Sequence, residues 1–256
     1  MLELMDKSPI SRGGFGEVFA TKWHGTPVAF KKLLYQNMSR KVYSTFTKEV
    51  SILATLNHPF VVKMFGAVVE EGNVGIVMEY MRRNLHRAIH WDEAHFSPSK
   101  KKSMVAQISR ALEYLHTQKE KIAHCDIKTS NVLLDEDDNA KLSDFGISAI
   151  KNATETAKSS IPGVAPPGQG TPRYSAPEVL RGEILTMTEL LQMDIYLLAV
   201  VVFELLTEEE PFLELNVRQL QAKVGHGTLR PTTSKIKLST SVAGILGRCL
   251  DGCTTK

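Results

Sequence analysis

An aspartate, a lysine and an asparagine fall within six positions of one another in His124-Cys125-Asp126-Ile127-Lys128-Thr129-Ser130-Asn131, a polar loop directly ahead of the strand-like residues 132–134. Asp126 offers a base, Lys128 a cation and Asn131 a metal-binding amide. Asp144, in Asp144-Phe145-Gly146 after the strand-like residues 140–143, adds a second oxygen ligand. That donor set suits Mg²⁺, a hard cation that keeps few protein ligands and shares the rest with phosphates. In Ile10-Ser11-Arg12-Gly13-Gly14-Phe15-Gly16-Glu17-Val18, glycines sit in a turn between two strand-like segments, where bare backbone N–H groups can approach phosphate oxygens. A glycine-rich hairpin alone is most often only a hairpin. Its context excludes two alternatives: no helix follows, as in a dinucleotide-binding turn, and no Gly-Lys-Ser or Gly-Lys-Thr closes it, as in a Walker A loop.

Lys31 ends the strand-like Val28-Ala29-Phe30-Lys31, and the pleat turns Lys31 and Lys32 to opposite faces. Eighteen residues on, Glu49 borders the apolar stripe of Phe46, Val50 and Leu53, where a carboxylate needs a partner. Lys31 is a candidate for it. Taken singly, each residue reads equally as a solvated surface charge.

The elements that must hold these groups differ along the chain. Up to about residue 80 the texture is short β-branched and aromatic segments broken by Gly, Pro and Asn, and residues 17–22, 26–33, 61–69 and 74–78 read as strands. One helix, 41–56, interrupts them with apolar residues at spacings of three and four. Beyond Tyr80 helices dominate. Ser97-Pro98 forms a cap and first-turn proline, followed by Met104, Ile108, Leu112 and Leu115 on one face. The expectation is an α+β protein of two lobes, with the joint at residues 79–83. Residues 161–170, rich in Pro and Gly, can be neither helix nor central strand.

The 256 residues suffice for a sizeable core without disulfides, and a net charge of +3 fits neither a polybasic nucleic-acid binder nor a disordered chain. Three cysteines, Cys125, Cys249 and Cys253, are too few for a disulfide framework and suit a reducing compartment, so a cytoplasmic location is expected. Residues 1–9 carry no apolar secretory core. The longest apolar run, 195–203, is about half of the ~20 residues a bilayer span requires, so it reads as a buried helix and not a membrane insertion.

In order along nearly the whole chain, the glycine-rich loop, Val-Ala-Phe-Lys, Asp126 to Asn131, Asp144-Phe145-Gly146, Ala176-Pro177-Glu178 and the helix with Asp194 resemble a eukaryotic protein kinase catalytic domain. The resemblance implies the bilobal kinase fold over residues 1–256 as a single domain: a small, mainly antiparallel β N-lobe at 1–80 and a larger, mainly helical C-lobe at 81–256. It implies ATP and Mg²⁺ as cofactors and a protein substrate with a serine or threonine acceptor. Ser11, Gly13 and Gly16 would lie over the nucleotide phosphates, and Lys31, paired to Glu49, would hold the α- and β-phosphates. Asp126 would orient and deprotonate the substrate hydroxyl, Lys128 would neutralise the γ-phosphate, and Asn131 with Asp144 would hold Mg²⁺. Met78, Glu79 and Met81 would form the hinge against adenine, with Val18, Ala29 and Leu133 sandwiching the base. Leu53, Met64, His124 and Phe145 match the family's apolar regulatory spine. Asp194, at the start of a very apolar helix, would anchor the catalytic-loop backbone. Lys128 and Thr171 resemble serine/threonine kinases, and Asp126 to Asn131 looks closest to the tyrosine-kinase-like group, which is mostly serine/threonine-specific.

Three departures stand out. Ser11 replaces the first loop glycine. Cys125 replaces the arginine before the catalytic aspartate, so a phosphate on the activation segment would lose its main cationic partner, and the position phosphorylated in many relatives falls on Pro167. The chain stops at Lys256, a few residues before the arginine that pairs with the glutamate of Ala176-Pro177-Glu178 in the family, as in a fragment or an unusual member. A pseudokinase that binds nucleotide or partners and switches without phosphoryl transfer is the alternative. Retention of Lys31, Glu49, Asp126, Asn131 and Asp144 together favours the enzyme. His86 and His90 are four apart, but no acidic residue sits in a matching place within that turn, so they read as surface histidines. Lys100 to Lys102 and Asp135 to Asp138 read as solvated charges.

Overall fold

The computed structural model describes residues 2–4, 8–13, 16–33, 47, 50–51, 53–70, 73–144, 172–231 and 240–251. The first part of the chain forms one antiparallel sheet of β1 (Leu2–Leu4), β2 (Ser11–Gly13), β3 (Gly16–Trp23), β4 (Thr26–Leu33), β5 (Met64–Glu70) and β6 (Asn73–Glu79), in the order β1-β3-β4-β6-β5 with β2 on β3. Its register matters more than its outline. Val18 lies opposite Lys31, Lys31 opposite Ile76, and Ala29 opposite both Ala20 and Met78. Because successive side chains alternate, Val18, Ala29, Lys31 and Met78 share one face. The other face carries a separate apolar cluster of Val28, Phe30 and Val77, with Phe19 and Val68 against it. Gly75 permits this packing: a Cβ there would meet the Phe30 ring at 2.6 Å and the Lys31 carbonyl at 2.5 Å.

Val61 and Val62, expected at the start of a strand, do not join this sheet, and Lys63 meets it through its carbonyl, which accepts from the Glu79 N–H at 2.8 Å. The Val62 N–H donates to the Leu142 carbonyl at 2.9 Å and the Leu142 N–H to the Phe60 carbonyl at 2.8 Å, so the segment crosses to the second part of the chain. Residues 47, 50, 51, 53 and 54 are helical, with Leu53 and Leu56 buried. The rest of the helix expected over 41–56 lies outside the described residues or beyond its turn, and Glu49 is among those outside.

The second part is helical around a small sheet of β7 (Arg83–Asn84), β8 (Val132–Leu134) and β9 (Ala140–Leu142). Its helices are α1 (Leu85–His90), α2 (Pro98–His116), α3 (Pro177–Leu180), α4 (Met187–Thr207), α5 (Val217–Leu220) and α6 (Thr240–Leu250). Ser97 caps α2 by accepting from the Lys100 N–H, with Pro98 in the first turn. The buried Met104, Ile108, Ala111, Leu112 and Leu115 then face the core. Gln107, on the same side, accepts from the Ala140 N–H at 2.8 Å and donates to Asn139 at 3.1 Å, which fixes β9 on α2.

Helix α4 begins earlier than its apolar run suggests. Thr186 and Glu189 form a reciprocal capping box, so Asp194 lies in the second turn, not at the start. By length and composition α4 could cross a membrane, yet here Leu190, Met193, Leu197, Val200, Val201 and Leu205 are buried in the main core. The charges read as solvated are partly structural: Lys100 Nζ donates to the Asp137 carbonyl at 2.6 Å, Arg83 pairs with Asp138 at 2.6 Å, and Lys101 pairs with Glu208 at 2.7 Å.

Among the described residues three side chains, Glu178, Tyr196 and Arg230, keep a buried polar atom without a hydrogen-bond partner. Glu178 on α3 is 2% exposed and neither carboxylate oxygen has a hydrogen-bond partner among the described residues, nor does the Tyr196 hydroxyl. Burial pushes the Tyr196 phenol well up, with the charge of Glu178 adding to the shift and that of Arg230 opposing it. A buried acceptor without a donor costs about 1 to 3 kcal/mol, more when charged. Glu178→Gln removes the charge at nearly constant volume, so it should raise the melting temperature of this chain by about 2 °C or more. Thermal unfolding by circular dichroism checks this; an unchanged or lower value would mean the carboxylate is already satisfied.

Candidate active site

The loop between α2 and β8 is held from below by one carboxylate. Asp194 on α4 is fully buried, and its two oxygens accept the consecutive backbone N–H groups of His124 at 2.7 Å and Cys125 at 2.8 Å. His116, at the end of α2, adds a contact to the same carboxylate at 2.9 Å. Presenting two successive N–H groups to one acceptor forces the backbone round. Cys125 sits at φ 64°, in the left-handed region that costs a side-chain-bearing residue roughly 1–2 kcal/mol. Burial, then the charges of Asp194 and Asp126, push the Cys125 thiol well up, so it is held as a neutral thiol.

His124 is itself buried and its Nε2 meets the Ser143 carbonyl at 2.8 Å, which ties the loop to the end of β9. From the other side, Ser143 donates through its N–H and its hydroxyl to the Asn131 carbonyl, both at 2.9 Å. The expected base, cation and amide converge on this frame. Lys128 Nζ reaches both oxygens of Asp126 at 2.9 and 3.0 Å, and Asn131 Nδ2 donates to the Asp126 carbonyl at 2.7 Å and to Oδ2 at 3.0 Å. With its amide nitrogen committed to Asp126, Asn131 turns its oxygen the other way, as a metal ligand requires.

Asp144 follows Ser143 directly and also stands at positive φ, 63°. Its Oδ1 is 2.8 Å from Nζ of Lys31, which is 3% exposed on the inner sheet face. Burial pushes the Asp144 carboxyl up, but Lys31, aided by His124 and Lys128, overcomes it, and the group lies below the usual carboxylate range. Lys31 and Asp144, 113 residues apart, thus close the cleft between sheet and loop. The pairing of Lys31 with Glu49 lies outside the described residues, as do Phe145, Gly146, Thr171 and residues 161–170.

Along the cleft, β2 and β3 pair with Ser11 opposite Val18 and Gly13 opposite Gly16. Gly16 approaches the neighbouring strand so closely that a Cβ would fall 2.0 Å from the Lys32 carbonyl. Ala29 and Met81 are buried, and Val18, Met78 and Leu133 are half-buried. Glu79 ends β6 with its side chain engaged: Lys141 Nζ donates to Oε1 at 2.6 Å and the Lys63 N–H to Oε2 at 3.3 Å. Of the apolar spine, Leu53, Met64 and His124 are buried.

Behind this site lie contacts that the motifs do not indicate. Thr129 Oγ1 donates to Glu204 Oε1 at 2.9 Å, and the Tyr174 hydroxyl donates to Glu204 Oε2. Glu204 is fully buried on α4, and a carboxylate closing a nine-residue apolar run was the available signal. His86 and His90 are not free surface groups: His90 meets Glu204 at 2.9 Å and His86 meets Glu210 at 3.3 Å, from elements more than a hundred residues away. Arg173 is committed to Glu210 at 3.0 Å and the Leu213 carbonyl at 3.0 Å.

A profile described as protein kinase domain matches residues 4–256. The serine/threonine-protein kinase CTR1 of Arabidopsis thaliana is 34% identical over 250 residues, 96% of this chain and 29% of that protein. The probable serine/threonine-protein kinase SIS8 of the same plant is 35% identical over 217 residues, 84% of this chain and 20% of that protein. The probable serine/threonine-protein kinase drkB of Dictyostelium discoideum is 31% identical over 227 residues, 88% of this chain and 31% of that protein. The chain therefore spans less than a third of the length of these curated relatives.

Two predictions follow from this geometry. Asp194→Asn puts an N–H₂ where one of two N–H groups must be accepted, and hydrogen bonds to a charged acceptor are worth about 1.5 to 3 kcal/mol each. The variant should lose on the order of 2 kcal/mol or more in urea unfolding and fall in whatever activity the loop carries; equal stability would mean the loop does not depend on this carboxylate. Asp144 gives a pH signature. Its folded carboxyl lies below the unfolded value of about 3.9, so its stabilisation is present above that value and is lost as pH falls through the folded one. The melting-temperature gap between the wild type and Asp144→Asn should be flat from about pH 5 to 8 and shrink below about pH 4.

Proposed function

The chain belongs to the protein kinase domain family, and on that premise we propose that it transfers the terminal phosphoryl group of ATP to serine or threonine hydroxyls of a protein, as a member of the tyrosine-kinase-like group. The observation that carries this reading is the meeting of two sets of residues, Lys31 with Asp144 and Asp126 with Lys128 and Asn131, on the two sides of Ser143. A structural ion-pair network needs no backbone strain; here Cys125 and Asp144 both adopt left-handed φ to present it. The serine/threonine kinase names of the relatives support the acceptor class.

Phosphoryl transfer spreads charge over oxygens that already exist, so the protein's work is positioning and electrostatics. Lys128 and Asn131 fix the Asp126 carboxylate in one rotamer, placed to accept the proton of an incoming hydroxyl. Lys128, already beside that carboxylate, also neutralises the phosphoryl group as it passes. The apolar inner face of Val18, Ala29 and Met78 suits one side of the adenine ring, with Leu133 to cover the other, and the backbone of β2 and β3 would lie over the phosphates. Lys31, freed from Asp144, binds the α- and β-phosphates. The Asn131 oxygen and Asp144 would hold Mg²⁺ as hard oxygen ligands, and the ion would supply positive charge against the phosphates. Nothing in the arrangement favours a nucleotide switch without transfer.

The test is transfer of radiolabelled phosphate from ATP to a generic basic protein, followed by phosphoamino-acid analysis. Asp126→Asn should cut turnover by about 10²- to 10⁴-fold, the usual worth of a positioned general base, with ATP affinity nearly unchanged. Asp144→Asn should abolish Mg²⁺-dependent turnover. Phosphotyrosine alone would overturn the acceptor class, and wild-type turnover no higher than that of Asp144→Asn would favour the pseudokinase.

A further inference from the structure

Outside the cleft, the short helix α1 and the end of α4 bring together a second set of ligand atoms. His86 and His90 are one helical turn apart, their rings 4.7 Å between centroids, and both direct Nε2 toward acidic residues of the C-lobe. One ligand atom from each of His86, His90 and Glu204 lies within 4.8 Å of the other two. Glu204 is the informative member. It is a fully buried carboxylate, and among the described residues its partners are the hydroxyls of Thr129 and Tyr174 and the His90 ring. No lysine or arginine contacts it there, so the fold leaves a buried carboxylate to two hydroxyls and an imidazole.

We propose that His86, His90 and Glu204 form a zinc-binding site. Two imidazole nitrogens and one carboxylate oxygen are a recurrent donor set for Zn²⁺, with the fourth tetrahedral position left to a further ligand. Bonds of about 2.0–2.1 Å at tetrahedral angles place ligand atoms about 3.3 Å apart. The His90–Glu204 separation of 2.9 Å opens slightly to reach that edge, and the half-buried His86 ring swings inward to close the longer one. Glu210, 3.3 Å from His86, is already paired with Arg173 at 3.0 Å and stays outside the donor set. Thr129 and Tyr174 then act as outer partners that orient the carboxylate. Imidazole ligands prefer zinc and its neighbours over Mg²⁺, so the ion used with ATP does not compete for this site.

The site is independent of the phosphotransfer reading and is tested without activity. The 256-residue chain, stripped with a chelator and desalted, is titrated with Zn²⁺ by calorimetry, and with Co²⁺ by visible absorption. The expected result is one Zn²⁺ per chain with Kd tighter than roughly 10 μM, and a Co²⁺ spectrum of tetrahedral nitrogen and oxygen coordination without a thiolate charge-transfer band. His86→Gln and His90→Gln should each weaken binding about tenfold or more, while His95→Gln on the exposed loop leaves it unchanged. His86→Gln is the safer variant, because the His90–Glu204 contact survives it; circular dichroism verifies the fold. Binding weaker than that threshold, equal affinity in the wild type and both variants, or a thiolate band pointing to Cys125, Cys249 or Cys253 would overturn the proposal.

Discussion

The cleft depends on a single buried carboxylate accepting two neighbouring backbone N–H groups. Asp194 lies at the bottom of the C-lobe core, far from solvent, and an unpaired charge there would cost several kcal/mol. Its compensation is the backbone of His124 and Cys125, so the loop cannot leave without exposing that cost. This is a stronger restraint than side-chain packing alone, because it fixes backbone direction. The left-handed turn at Cys125 is the visible strain of that arrangement, and the next residue is Asp126. The Asp126 carboxylate is therefore positioned through backbone that α4 holds.

Above that anchor the site is a relay of short polar contacts. His124 reaches the Ser143 carbonyl, Ser143 returns two hydrogen bonds to Asn131, and Asn131 closes on Asp126. Asp144 follows Ser143 and meets Lys31 from the sheet. Each contact uses a donor or acceptor that would otherwise be buried and unsatisfied, so the residues restrain one another. The sheet contributes by register: with Ala29 opposite Met78 and Lys31 opposite Val18 and Ile76, one face holds the apolar surface and the cation together, and a one-residue slip would turn them all outward.

Much of this was legible in the sequence where the determinants are local. The strand Thr26–Leu33 and the strand Val132–Leu134 have the ends that alternation and flanking turn residues indicate, and Ser97-Pro98 opens α2 as written. What misled were effects with distant partners. Residues 61–62 have strand composition, yet the Val61 N–H turns back to His58 and the Val62 N–H goes to Leu142, eighty positions on. The apolar run 195–203 marks the middle of α4, whereas its start is set by the Thr186 and Glu189 capping box, a local signal that hydrophobicity masked. His86 and His90 lack an acidic neighbour in their own turn because theirs arrive from α4 and the residues after it. Motif spacing indicated which residues would do chemistry; it carried no information on the three-dimensional contacts that keep Glu204 and Glu210 beside them.

The crossing of residues 60–62 onto β9 has a mechanical side. Among the described residues the lobes are tied by the covalent link through residues 80–82, by the hydrogen bonds of Phe60 and Val62 with Leu142, and by the Asn57 N–H, which donates to the Tyr114 hydroxyl at 3.0 Å. The Lys141–Glu79 ion pair joins the neighbours of the first two ties. A motion that keeps these ties is a swing of the sheet about them, and the Lys31–Asp144 contact, which is not among them, is the one that such a swing lengthens.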